Sequence, residues 1–444
     1  MKFIAEKEKI RTMGIAKLLE PDMLGKEVSV NGAVHAIRNM GNIAFLILRK
    51  REGLLQCIYE EGVSSFDIKD IHEADTVEVR GKLVKNDKAP HMVEVQLGEL
   101  VILSKAADEM LPLPIAKKDM HTSLEAKLNY RSISLRNLKE RAKFKIQEGL
   151  TRAFRDYLYD EGFTEIHSPK IASKGAEGGA NMFKLEYFHR PAVLSQSPQF
   201  YKQMMVGVFD RVFETAPAFR AEKHNTKRHL NEYTSLDFEM GYIDGFEDIM
   251  AMEAGYLKFA FEMLENDYLT ELEILDITLP DVSKIPSVKF KDIKEEVAKE
   301  YGHVIKNPFD LEPEEEVLIS KYAKEKWGSD FVFVTHYPSK KRPFYAMDDP
   351  EDLDYTLSFD LLYNGMEITT GGQRIHDYQM LLDKLDKRGM ETEGMEHYLD
   401  TFKHGMPPHG GLGIGLERLT MKLCKEDNIR ETTLFPRDLS RLEP

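Results

Sequence analysis

Thiols and indole are scarce in this chain of 444 residues: it has two cysteines, Cys57 and Cys424, and one tryptophan. Two thiols cannot frame a disulfide-stapled fold and exclude a cysteine-based zinc site; they point to a reducing compartment. No apolar run reaches the roughly 18–20 residues that a membrane span needs. The opening MKFIAEKEKIRTMG lacks the apolar centre of a secretory signal. A cytoplasmic protein is expected. Positive charge is in deficit, with 61 Lys and Arg against 76 Asp and Glu and a net charge of −15, which argues against non-specific DNA binding. The common nucleotide fingerprints, G-x-G-x-x-G and G-x-x-x-x-G-K-[ST], are missing too, and no internal repeat is visible. What remains is 42% hydrophobic and 31% charged residues, a globular composition long enough for two or three domains.

The charge is distributed unevenly. Residues 1–105 hold 16 basic and 16 acidic side chains, whereas 116–152 hold 10 basic and 4 acidic, so a specific polyanionic partner stays open. Residues 27–103 read as five short β-rich runs separated by Gly, Asn and Asp turns, with a helix-like pause at SSFDIKDIHEA. That pattern fits a Greek-key barrel of the OB type. LPLPIAK, at 111–117, reads as linker. Residues 137–163 carry apolar positions at helical spacing and stop at Gly162. Strand runs follow at 183–195, 211–220, 233–243 and 355–369, with a mixed segment at about 245–345 that reads as an insertion, and a final helix is predicted from near Gly413. The strands come in runs without alternating helices, so the second part is predicted as α+β on a largely antiparallel sheet. The predicted boundaries are 1–107, a hinge at 108–135, and 136–444.

Three segments carry the chemistry. FRAEKHNTKRHLNEY, at 219–233, places five or six basic side chains between two apolar runs. Period-two geometry predicts Arg220 and Glu222 on one strand face, and Tyr233, Ser235 and Asp237 on another. An arginine on a sheet face is costly unless it meets an anion, either a phosphate or Glu222 itself. HGGLGIGLERLTMKL has glycines at 410, 411, 413 and 415 before a helix that opens with Glu417 and Arg418, an entry suited to an anion but weak taken alone. FDLLYNGMEITTGGQRIHDY carries Asp360 and Glu367, oxygen ligands of the kind that hold Mg²⁺ together with substrate phosphates. Arg220, Arg374 and Arg418 beside these carboxylates would make a site that works by clamping charge.

FRAE…RHLNEY is similar to motif 2 of the class II aminoacyl-tRNA synthetases, GGLGIGLERL to motif 3, and the 137–170 helix–strand–Pro unit, ending FTEIHSP, to motif 1. AEGGA, QSPQFYKQ and EITTGGQRIHDY resemble aspartyl-type members of archaeal and eukaryotic form, over about residue 14 to the end. The resemblance implies an OB-fold anticodon-binding barrel followed by a class II catalytic domain. It further implies ATP-dependent attachment of L-aspartate to tRNA(Asp) through an aspartyl-adenylate, with Mg²⁺. By matching positions, Arg220 meets the α-phosphate and the amino-acid carboxylate. Glu222, His229, Leu230, Tyr233, Gly415 and Arg418 fall at the nucleotide. Asp360, Glu367 and Thr370 fall at the metal. Glu177, Gln199, Lys202 and Arg374 fall at the amino acid, with Lys202 and Arg374 as two cations for the side-chain carboxylate; such a pair disfavours the neutral amide.

In the barrel, Phe45 matches a stacking position, Gln56 a base-edge position and Arg38 a backbone contact. His35 and Pro90 match positions that accompany relaxed tRNA choice, so charging of tRNA(Asn) with aspartate is implied as well. Alternation in NIAFLILRK leaves the barrel core open for Phe45. Ala33 departs from the aromatic residue usual after that strand's Gly and touches no catalytic group. The motif 1 helix and Pro169 imply a homodimer. The rival readings are an asparaginyl-tRNA synthetase and a non-catalytic paralogue that binds only; the latter usually loses a motif arginine, and all three are present here.

Overall fold

A computed structural model describes residues 13–107, 110–173, 182–224 and 226–444. The chain divides into two compact units, 1–141 and 142–444.

In the first unit, strands β1 (Glu27–Asn39), β2 (Ile43–Arg49), β3 (Leu54–Glu60), β4 (Thr76–Lys85) and β5 (Val93–Ser104) close a barrel in the order β1-β2-β3-β5-β4. All neighbours are antiparallel except β3 and β5. Alternation sends Val28, Val30, Leu46, Leu48, Leu55, Cys57, Val77 and Val79 into one core, which is what period two requires of a sheet with a single buried face. β4 irregularly steps its register at Gly81, where a Cβ would stand 1.9 Å from the Gln96 carbonyl oxygen; only glycine fits this close approach. The helix-like pause after β3 shrinks to one turn, Ile68–Asp70, capped by Asp67, which accepts from the Lys69 N–H at 3.0 Å. The predicted hinge packs with this unit. Asn137 Nδ2 donates to the carbonyls of Ile115 (2.9 Å) and Lys117 (2.7 Å), which ties the proline-rich stretch down.

The second unit is built on eight strands: β6 (Thr164–Glu165), β7 (Arg211–Phe219), β8 (Glu232–Gly241), β9 (Ser287–Lys289), β10 (Phe331–Thr335), β11 (Ser358–Tyr363), β12 (Met366–Arg374) and β13 (His409–Gly415). Their order is β9-β10-β11-β12-β13-β8-β7-β6, antiparallel through the middle and parallel at both edge pairs. The helices that matter here are α1 (Leu138–Asp160), α2 (Gln199–Phe209), α3 (Glu247–Asp267), α4 (Phe290–Tyr301), α5 (Pro313–Trp327), α6 (Tyr378–Lys387) and α7 (Leu416–Leu423).

One face of the sheet is covered by the apolar stripe of α1 (Ile146, Leu150, Phe154, Leu158) and by α3 (Ile249, Leu257, Leu264), packed on Phe213, Leu236, Phe238, Ile368 and Leu412. The two helices approach closely because of glycine. A Cβ on Gly149 would lie 2.6 Å from Leu264, and one on Gly255 would lie 2.1 Å from the Tyr157 hydroxyl. Gly149→Val is therefore expected to destabilise by about 1–3 kcal/mol through overpacking, read as a lower denaturant midpoint at unchanged m-value.

Two sequence expectations change here. The segment at 245–345 reads as an insertion, yet α3 belongs to the main core, and β9 and β10 extend the main sheet; α4 and α5 cover the other face, on Val332, Val334 and Leu362. The glycine run at 409–415 is strand rather than helix entry, and α7 opens at Leu416. The reason is crowding: a Cβ at Gly411 would meet the Phe238 carbonyl oxygen at 2.2 Å. The strand run expected at 355–369 is a hairpin, β11–β12, turned at Asn364-Gly365, both with positive φ (46° and 81°).

Candidate active site

Because Leu236 and Phe238 point into the core, Tyr233, Ser235, Asp237 and Glu239 of β8 point the other way. There Tyr233, Ser235 and Asp237 border a cavity of about 620 Å³, with Glu239 buried behind them. Gln199, Lys202, Arg220, Glu222, His229, Leu230, Tyr233, Glu367, Thr370, Arg374, Gly415 and Arg418, chosen from distant parts of the sequence, all line it. Asp360 lies beneath the wall, opposite Thr370 in the β11–β12 register. Glu177 falls outside the described residues.

The basic stretch is a turn rather than strand. β7 ends at Phe219, the Arg220 N–H donates to the Asn231 carbonyl at 2.9 Å, and the Glu222 N–H folds back on the Arg220 carbonyl at 2.8 Å. Arg220 and Glu222 therefore do not share a strand face. The Arg220 guanidinium instead stands 5.6 Å from the Tyr233 ring centroid, so a flat, cation-backed aromatic surface lies beside an arginine. His229 meets Thr226 Oγ1 at 2.7 Å. Burial, then the positive charge of Arg418, holds its pKa below the usual value, so it does not add to the loop's charge at neutral pH.

Arg228 has a partner that the sequence did not announce: its guanidinium is ion-paired with Glu316 of α5. The same carboxylate accepts the Glu367 N–H at 2.9 Å, and burial pushes it up to about 7. Glu316 thus ties the basic turn to β12. Glu316→Ala should raise the KM for the nucleotide about tenfold, the loss of one buried charge-assisted bond, while leaving the KM for the amino acid unchanged.

The carboxylates of Asp360 on β11 and Glu367 on β12 each meet a guanidinium brought from another element, Arg342 and Arg418. Arg418 Nη1 donates to the Glu367 carbonyl at 3.0 Å and lies 3.4 Å from its Oε1, and Thr370 Oγ1 donates to that same oxygen at 3.2 Å. Arg342 Nη2 donates to Asp360 Oδ1 at 2.7 Å while its guanidinium stacks 3.9 Å from the Tyr337 ring centroid. Burial raises Asp360 to about 6, with Glu367 adding to the rise. Burial acts on Glu367 in the same sense, but Arg418, Arg342 and Arg220 together outweigh it and hold Glu367 low. Each carboxylate already has a guanidinium beside it, so a divalent cation would share Asp360 and Glu367 with Arg342 and Arg418. Among the described residues no group of three His, Cys, Asp or Glu gathers at one point, so the chain would offer a cation two carboxylates, with further ligands from a substrate or water.

The amino-acid end departs from expectation. Lys202 and Arg374 are not bare cations. Lys202 Nζ is 3.0 Å from Asp237 Oδ1, 3.3 Å from Glu239 Oε2 and 2.8 Å from the Leu412 carbonyl. Arg374 Nε donates to Glu239 Oε1 at 2.8 Å, and Nη2 to the Gly411 carbonyl at 2.8 Å. Glu239 is fully buried and held low in pKa: burial would raise it, and Arg374 and Lys202 outweigh burial. The alternation that places 233, 235 and 237 on one face continues to Glu239, where the sequence reading stopped short. Among the described residues, Gln199 Nε2 and Asp237 Oδ2 here find no hydrogen-bond partner. A buried unpaired donor beside a buried unpaired acceptor suits a zwitterion.

In the barrel, Phe45 is half-buried and outside the core cluster, opposite Arg38 in register. Gln56 is not free to read a base edge with its amide nitrogen, which donates to Glu94 Oε2 at 2.9 Å. His35 is buried, its Nδ1 unpartnered, and burial followed by Arg49 and Arg141 lowers it to about 4. It is a neutral interior residue, so it cannot itself present a charge to RNA. Pro90 is exposed in the turn before β5.

A barrel of OB order and a cationic cavity on an antiparallel sheet, flanked by helices, together define a two-part nucleic-acid-linked ligase. Residues 28–103 match the OB-fold nucleic acid binding domain family, and 123–439 match the class II tRNA synthetases (D, K and N). The chain belongs to that class II family. It is 48% identical, over 96% of its length and 97% of the relative's, to the aspartate–tRNA(Asp/Asn) ligase of Deinococcus radiodurans. It is 40% identical, over 95% of its length and 97% of the relative's, to the aspartate–tRNA(Asp) ligase of Pyrococcus furiosus. Its fold matches the asparaginyl-tRNA synthetase of Pyrococcus horikoshii bound to asparaginyl-adenylate, with TM-score 0.90 and 30% identity, covering 98% of this chain and all of that one. Among the described residues no helix is long and apolar enough to cross a membrane.

Proposed function

We propose that this chain activates L-aspartate with ATP and transfers it to tRNA(Asp), and also to tRNA(Asn). The observation that carries the reading is the convergence of Arg220 and Arg418 with the Lys202–Arg374 pair and the two unpartnered atoms, Gln199 Nε2 and Asp237 Oδ2, on one cavity. Fold alone does not separate aspartate from asparagine; the relatives at 40–48% identity carry the aspartate name.

Adenine stacks on Tyr233 from the Arg220 side, and Arg418 meets the far phosphates. Asp237 Oδ2 accepts from the α-ammonium, and Lys202 and Arg374 face the side-chain carboxylate. The α-carboxylate oxygen attacks the α-phosphorus, the bond to the pyrophosphate oxygen breaks, and Arg220 stabilises the charge that builds on the non-bridging oxygens. A ribose hydroxyl of the tRNA end then attacks the mixed anhydride and AMP leaves. Asp360, Glu367 and Thr370 would hold Mg²⁺, which supplies charge neutralisation for the departing pyrophosphate. The two carboxylates remain the chain's share of that coordination.

The barrel reads the anticodon, with Phe45 stacking on an unpaired base beside Arg38. Phe45→Ala is expected to raise the KM for tRNA about tenfold and leave aspartate-dependent exchange unchanged. Loss of both would return Phe45 to the barrel's structure. A homodimer through α1 and the Pro169 region accounts for the exposed Tyr159, Ile171, Tyr187 and Phe188. Sedimentation would give twice the 51.1 kDa chain mass. The test of tRNA choice is charging of purified tRNA(Asp) and tRNA(Asn) with labelled aspartate. Charging of both supports the reading, and charging of tRNA(Asp) alone restricts it to the strict form.

A further inference from the structure

A second cavity of about 880 Å³ shares Lys340, Arg388 and Met390 with the first. Its lining includes Phe290, Pro308, Phe309, Pro338, Leu353 and Tyr355. Phe309 and Leu353 are 47% and 63% exposed, unusual for lining residues with no apolar partner. The same lining carries six cations, which fall into two groups. Lys294, Lys384 and Arg388 are spent on the fold. Lys294 pairs with Glu315 at 2.7 Å, Lys384 with Asp348, and Arg388 donates to the carbonyls of Ser339 (2.6 Å) and Arg342 (2.7 Å). The two Arg388 bonds tie the 338–342 segment to the end of α6.

Lys291, Lys340 and Lys387 are different. None of them has a hydrogen bond or carboxylate partner among the described residues; Lys340 only overlies Phe309, 5.6 Å from its ring centroid. Glu295 and Asp354 are the carboxylates at the edge, so unpaired positive charge is in excess by one. Exposed aromatic and apolar side chains sharing one cavity with unpaired ammonium groups suit a base and its phosphate.

We propose that this cavity is a second nucleoside-phosphate site, continuous with the activation site through Lys340 and Arg388. Two sources have this chemistry: an unpaired nucleotide near the tRNA 3′ end, threading towards the adenylate, or a free mononucleotide. The first source rests on the synthetase reading above; the second does not.

The test uses the whole enzyme with K291E/K387E, two exposed residues that line only the second cavity. If the tRNA end occupies it, the KM for tRNA rises about tenfold. The slope of log KM against log salt also falls by about 1.4, roughly 0.7 for each single-strand phosphate that a lysine no longer neutralises. Aspartate-dependent pyrophosphate exchange stays at the wild-type rate. In the other arm, AMP is titrated into enzyme whose activation cavity is filled by a non-hydrolysable aspartyl-adenylate analogue. Binding seen in the wild type and abolished in the double variant assigns the site to a free nucleotide. An unchanged KM and salt slope, with no AMP binding that the double variant removes, overturns the proposal. Failure of the aspartate reading shows separately, as absence of exchange in the wild type.

Discussion

Arg220→Ala is expected to lower aspartate-dependent ATP–pyrophosphate exchange on the order of 10³-fold, the effect of removing one donor aimed at developing charge, without unfolding the chain. The backbone N–H of Arg220 bonds the Asn231 carbonyl, and that bond survives the substitution. Circular dichroism and the melting temperature should match wild type within a degree or two. Arg220→Lys should recover little, because one ammonium cannot reproduce the planar fork against a phosphate. Exchange retained in Arg220→Ala would remove this residue from the reaction.

The second large effect is on the fold and the chemistry together. Lys202 Nζ is surrounded by Asp237, Glu239 and two backbone carbonyls, and Lys202 is 1% exposed. Lys202→Met keeps the length and apolar stem but strands two buried carboxylates with Arg374 as their main remaining cation. Breaking a buried pair by removing one partner costs about 3–5 kcal/mol, a fall in melting temperature of roughly 10 °C for a unit of this size. Aspartate activation should be lost. Restoring neutrality separates the two roles: Lys202→Met combined with Asp237→Asn should regain part of the stability and none of the activity. A single variant with unchanged stability would mean that the carboxylates are compensated elsewhere.

The sequence made periodic features legible and left pairings hidden. Helix α1 runs 138–160 where spacing placed it at 137–163, and the five barrel strands fall within the predicted runs, because alternation is a property of a short window. The glycines at 410–415 misled, since glycine marks close approach as well as helix entry, and here the neighbour was the β8 backbone. Positions matched by motif reached one cavity, but their partners did not declare themselves. Arg228 and Glu316 are 88 residues apart, and Arg374 and Glu239 are 135 apart. No local pattern reports such a pair. The consequence is chemical: selection of a side-chain carboxylate cannot rest on two bare cations, because both already face carboxylates. On the proposed reading it rests on how a substrate carboxylate and ammonium re-share Lys202, Arg374 and Asp237.

Amino-acid-dependent ATP–pyrophosphate exchange with the purified chain, run with aspartate and with asparagine in parallel, tests that account most directly. Exchange driven by aspartate with asparagine near background is the expected result; exchange driven by asparagine, or by neither, would contradict it.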